Sequence, residues 1–340
     1  MQKERCNLLI KGSFSSGSSA VVDLLREYKN INVFDWEFND FRAPGLVADQ
    51  LSLDSSRDYP NRIDEITKIK NFGWRLFFNF MPKKFWEKEW GFPVFKFLKS
   101  KNKIKRFNQI HFLKDFNKIL KSGISFEEKI NHSNEWISRI GNINSINKDY
   151  VLFNQPIDTN SDIETWTRVF NPFKLICVYR DPKDQLAELI KRNILFSSFN
   201  SPRMTPTGVN ILAIYGRDRK GMLKFLIEAF KKRMEDYDRL ENLLGPEKIL
   251  VIDFEGLVNH YNKYKSHIEN FLGINESNHI LQRKFFNPEV SKNNIGLFSN
   301  FLDKDEIKEL SGLEEWYLKR LNQQKLEIKV QNLNSEIING

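Results

Sequence analysis

Short apolar runs alternate with amphipathic stretches along most of this chain, a pattern that predicts the strands of a parallel sheet separated by helices. The first run, Asn7-Leu8-Leu9-Ile10, breaks into small hydroxylated residues and resumes with helical spacing at Ala20-Val21-Val22-Asp23-Leu24-Leu25. This reads as strand, loop, helix. A second strand is expected over Ile31 to Phe38, ending in the polar residues Asp35 and Glu37. Between about 59 and 148 the texture changes to Lys, Asn, Phe and Trp at helical spacings, which predicts a helical insertion covering the sheet. The α/β texture returns with a strand over Asp149 to Pro156 and a helix from about 161 to 170. The uninterrupted run Phe173-Lys174-Leu175-Ile176-Cys177-Val178-Tyr179 has the form of a central parallel strand buried on both faces. A helix through Arg192, another over about 219 to 244, a strand over 248 to 254 and a helix over 262 to 272 complete the pattern. The fold class is therefore α/β, a central mainly parallel sheet with helices on both faces. One such domain spans 1–322 with the 59–148 insertion inside it, and a polar C-terminal tail covers 323–340.

The break after the first strand is chemically the richest segment. Gly12 and Gly17 permit a tight turn, serines stand at 13, 15, 16, 18 and 19, and the amides at the helix start are oriented toward a negative charge. An anion site for phosphate or sulfate is the reading preferred over a ligand-free serine cap, because a cap requires only one such residue. The Gly12 to Gly17 spacing matches a nucleoside-triphosphate loop, but Ser18 stands where the phosphate-reaching lysine belongs. Ordinary ATP or GTP hydrolysis is thereby disfavoured.

Composition narrows the picture. With 340 residues and 40% hydrophobic content the chain can bury a sizeable core, and no apolar stretch reaches the length of a membrane span. A cytoplasmic protein is expected. Cys6 and Cys177 both fall in or beside predicted strands, as reduced structural thiols would. The formal charge of +9 favours an anionic partner without choosing one. A basic run over 99–106 reads as a solvated loop, so nucleic acid is not expected as a partner. No Cys, His and carboxylate cluster has metal-ligand spacing, and no metal is expected.

Arg180 follows the buried run directly, at the strand end where open parallel sheets bind ligands, and Asp181-Pro182 after it reads as a helix cap and first turn. A guanidinium there can hold a phosphate, so two anion sites at neighbouring strand ends describe a ligand with phosphate at both ends. On Ser15-Ser16-Gly17-Ser18-Ser19 and Arg180-Asp181-Pro182-Lys183-Asp184 the chain resembles the sulfotransferases that use 3′-phosphoadenosine 5′-phosphosulfate (PAPS). Weaker likenesses follow in family order at Asp253-Phe254-Glu255-Gly256-Leu257 and at the late loop Phe286 to Gly296. The insertion is not covered. The resemblance implies that Ser15, Ser16, Gly17, Ser18 and Ser19 cradle the 5′-phosphosulfate, that Arg180 holds the 3′-phosphate, and that Ser291 and Lys292 lie in a loop closing over the co-substrate.

The resemblance has gaps. Many members carry Lys or Arg where Ser15 stands, leaving Lys11, Arg42 or Lys292 to supply the positive charge. A family serine is replaced by Glu188, with Lys191 or Arg192 as compensating charges. The triplet Arg219-Lys220-Gly221 comes too early in the chain to be the family's co-substrate motif. Carbohydrate-modifying members place a glutamate after the second strand, which maps to Glu37 as catalytic base, with Asp35 and Asp40 in reserve. His111 and His132 read as surface or capping residues. The implied acceptor is a hydroxyl on a carbohydrate or glycolipid, and peripheral contact with a membrane-linked acceptor is compatible with the chain. Two alternatives remain: a nucleotide-dependent phosphotransferase, and a non-catalytic binder of nucleic acid or an acidic polymer.

Overall fold

The computed structural model describes residues 5–12, 15–38, 41, 47–51, 115–142, 148–157, 162–192, 195 and 218–319. Five strands form one sheet: β1 Cys6–Lys11, β2 Ile31–Glu37, β3 Tyr150–Asn154, β4 Phe173–Tyr179 and β5 Ile249–Asp253. Their order is β2-β3-β1-β4-β5, and every neighbouring pair is parallel. Around the sheet lie α1 Ser18–Arg26, α2 Phe126–Asn142, α3 Ile163–Val169, α4 Pro182–Lys191, α5 Arg219–Leu244, α6 Phe254–Asn259 and α7 Tyr261–Leu272. Within the stretch expected as an insertion, the described residues form helix over 115–121 and in α2, with 122–125 between them non-helical. Residues 59–114 of that stretch and the expected tail 323–340 lie outside the described residues.

Why the apolar runs are continuous is clear from what each face meets. Leu9, Leu175 and Cys177 face a core completed by Trp136 and Ile137 of α2, Trp166 of α3 and Tyr237 of α5. Leu8, Ile10, Ile176 and Val178 face the opposite core, closed by α1, α6 and α7. Alternate residues of one strand thus enter different cores, and a one-residue slip would exchange them. Leu8, Leu9 and Ile10 are each 0% exposed, worth roughly 1.5–3 kcal/mol apiece in removal from water. A third cluster joins α4 to the first half of α5 and to a helix described over 304–319.

Helix starts follow local chemistry. Asp181 accepts the Lys183 amide at 2.8 Å with Pro182 in the first turn of α4, and Asp218 accepts the Gly221 amide at 2.7 Å at the start of α5. Several strands are a residue or two shorter than the sequence reading, and at the last, which that reading carried through Phe254, the cause is visible. The strand ends at Asp253, whose carboxylate caps α6 by accepting the Gly256 amide. Side-chain capping outweighs the β propensity of Phe254 there.

Strand order decides where a ligand can sit. From β1 the chain moves outward past β3 to β2, whereas from β4 it moves the other way to β5. The carboxyl ends of β1 and β4 are adjacent, with Lys11 opposite Cys177, and their connections diverge to leave a crevice between them.

Candidate functional site

That crevice is bounded on the β1 side by the glycine and serine loop. Gly17 takes φ +86° as the residue before α1 and supplies no side chain to cap it. A Cβ built on Gly17 would lie 2.3 Å from Phe254 Cδ2, so only glycine lets the loop lie against α6. The loop also folds closely over Gly12, where a Cβ would fall 2.2 Å from Ser16 Oγ. Ser15 has φ +62° and Ser16 is buried. Ser13 and Phe14 lie outside the described residues. The loop is held from β3 by Gln155, itself at φ +54°, whose Oε1 accepts the Gly12 amide at 3.2 Å and whose Nε2 donates to Ser18 Oγ at 2.8 Å. Sequence reasoning missed Gln155. Its only signal was an amide side chain before Pro156 at a strand exit.

The β4 side is bounded by Arg180, which is 4% exposed. Its Nη1 donates to the Ser15 carbonyl at 3.1 Å, its Nη2 donates to the Asn294 carbonyl, and its guanidinium carbon lies 5.0 Å from the centre of the Phe254 ring. The glycine and serine loop, Arg180 and the late loop therefore meet at one point. Arg180 Nε has no hydrogen-bond partner among the described residues, and the nearest opposite charge is Glu255 Oε1 at 4.0 Å. A buried guanidinium with an unused donor is a ready partner for an anion.

Behind Arg180 lies a group of acids. Glu255 accepts the Asp181 amide at 3.2 Å and a hydrogen bond from the Tyr317 hydroxyl, while Tyr317 packs edge-on against Tyr179. Burial pushes the Glu255 carboxyl up to about 7 and that of Asp181 up to about 6. Lys183 pairs with Glu314 and is also 3.8 Å from Asp181. This arrangement ties α4, α6 and the 304–319 helix together next to Arg180.

The remaining candidates are dispersed. Ser291 is half-buried at the end of a short helix Pro288–Ser291, and Lys292 is exposed and paired with Glu289 at 2.8 Å. It is the Asn294 carbonyl, not either of these side chains, that touches Arg180. Ser19 lies in the first turn of α1. Glu37 is the last residue of β2, half-buried and aligned with Asn154, with β3 between it and β1. Lys11 is buried at the end of β1. Glu188 takes the Arg192 Nε at 2.5 Å, the compensation that its position in α4 allows. Arg219 is committed to Glu306 and the Phe301 carbonyl. His132 is near Glu135 on the surface of α2. Asp40, Arg42, His111 and the side chain of Asp35 lie outside the described residues. Among the described residues no three His, Cys, Asp or Glu side chains are grouped to hold a metal ion, and no helix is long and apolar enough to cross a membrane.

No family model matches the sequence, and no curated protein matches it. Among solved structures the chain is similar to the sulfotransferase domain of the olefin synthase of Synechococcus PCC 7002. The identity is 14%, over 88% of this chain and 95% of that one, with a TM-score of 0.40. It is likewise similar to the sulfotransferase STF9 from Mycobacterium avium, at 14% identity over 89% of this chain and 77% of that one, with a TM-score of 0.41.

Proposed function

We propose that this chain is a sulfotransferase that moves the sulfuryl group of PAPS to a hydroxyl of a carbohydrate or glycolipid acceptor. The observation carrying this reading is the contact between Arg180 and the Ser15 carbonyl at 3.1 Å, which brings the anion loop and the strand-end guanidinium within reach of one ligand. The residues present suit such a co-substrate: helix-start amides at Ser18 and Ser19 for the 5′ end, and the Arg180 guanidinium for the 3′-phosphate. The acceptor oxygen forms a bond to sulfur as the bond from sulfur to the 5′-phosphate oxygen breaks, releasing adenosine 3′,5′-bisphosphate. Positioning and charge stabilisation carry the step, with the loop amides facing the charge that develops on the departing phosphate. Glu37 is the proposed base, taking the acceptor proton from its half-buried place at the end of β2.

Calorimetry with adenosine 3′,5′-bisphosphate, AMP and ATP tests the nucleotide site. The bisphosphate is expected to bind best, and Arg180→Ala to weaken it at least 30-fold, about 2 kcal/mol or more, because a buried charged hydrogen bond is lost. Equal affinity for all three nucleotides would contradict the reading. Glu37→Gln is expected to leave bisphosphate affinity intact and to lower turnover about 100-fold. Wild-type turnover in that variant would assign the proton to another group.

A further inference from the structure

Asp184 holds the segment that reaches Arg180. It stands in the first turn of α4, is 1% exposed, and divides its carboxylate between two amides of the late loop. Its Oδ2 accepts the Gly296 amide at 2.8 Å and its Oδ1 accepts the Phe298 amide at 3.1 Å. Gly296, at φ +77°, provides the turn between Asn294 and Phe298. Two residues before that turn, the Asn294 carbonyl meets the Arg180 guanidinium. On the other side of the turn Lys183 Nζ lies 4.5 Å from the centre of the Phe298 ring. One helix start thus contacts residues 294–298 through Arg180, Lys183 and Asp184.

We infer that Asp184 is a positioning residue for the end of the site that Arg180 serves, fixing residues 294–298 so that the site distinguishes nucleotides bearing a 3′-phosphate from those without one. This rests on the function proposed above. An acid so close to a phosphate subsite would ordinarily repel the ligand. Here both oxygens are engaged by backbone donors, and the carboxylate acts through the loop without touching the nucleotide. An asparagine of the same shape has one acceptor oxygen and presents N–H groups where the second acceptor stood, so one loop amide loses its partner.

Two variants approach the same bonds from opposite sides, Asp184→Asn from α4 and Gly296→Ala from the loop. A Cβ at Gly296 meets nothing within 4 Å, so that substitution acts on the backbone turn alone. Affinities for adenosine 3′,5′-bisphosphate and for AMP would be measured by calorimetry, with amide hydrogen exchange read across 294–298. In both variants the expected result is a loss of bisphosphate affinity of about tenfold, AMP affinity within about twofold of wild type, and faster exchange in the segment. Faster exchange with unchanged bisphosphate affinity would overturn the inference, as would an equal loss for both nucleotides. If Asp184→Asn does not fold, Gly296→Ala decides by the same criteria. A wild-type protein that does not prefer the bisphosphate would instead overturn the proposed function itself, an outcome visible before either variant is made.

Discussion

Gly17 shows how much one position can decide. Its left-handed φ of +86° turns the chain into α1, and the missing Cβ leaves room for the Phe254 ring that also lies under Arg180. Gly17→Ala is expected to cost about 1–3 kcal/mol in urea unfolding, since strained backbone and steric overlap combine. Bisphosphate affinity should fall with it, because relief of the overlap moves the loop that supplies the amides. The glycine spacing and the serines were readable in the sequence, as turn chemistry depends on adjacent residues. The Phe254 contact was not, because the ring arrives from the start of α6, far along the sequence.

Between elements, the telling contact is the one that joins α6, α4 and the 304–319 helix at Glu255. Burial raises this carboxyl above its ordinary range, so the folded protein holds the proton more tightly than the unfolded chain does. The folded state therefore binds more protons from the ordinary carboxylate range of about 4.3 up to about 7, and this contribution to stability declines as pH rises through that window. Asp181, raised to about 6, acts in the same direction. Denaturant unfolding at several pH values should show Glu255→Gln with a flatter decline than wild type between about pH 5 and 7.5, because a neutral side chain has no proton to lose. Parallel slopes would place the titration elsewhere. A second junction, between the end of α1 and the 279–286 segment, is built on the fully buried Glu27. It accepts amides from Arg283, Phe285 and Phe286 and contacts His279 Nε2 at 2.6 Å. Nothing near Glu27 in the sequence marks it as interior, since all of those partners come from one distant segment.

At the scale of the molecule, the five-stranded order puts β1 and β4 side by side and so brings the segments that follow them to one edge of the sheet. What the sequence determined by itself is local: the alternation of strands and helices, the Asp181-Pro182 helix start, the glycine and serine loop, and an arginine at the end of a buried strand. Each of these depends on neighbours within a few residues, through propensity, capping and hydrogen bonds of one turn. Only the tertiary structure decided that Arg180 joins the Ser15 and Asn294 carbonyls, that Gln155 holds the loop, and that Asp184 accepts amides 112 and 114 positions further along. Those contacts exist because packing of both sheet faces brings distant segments to the same edge, and local sequence carries no signal of which buried group will meet which.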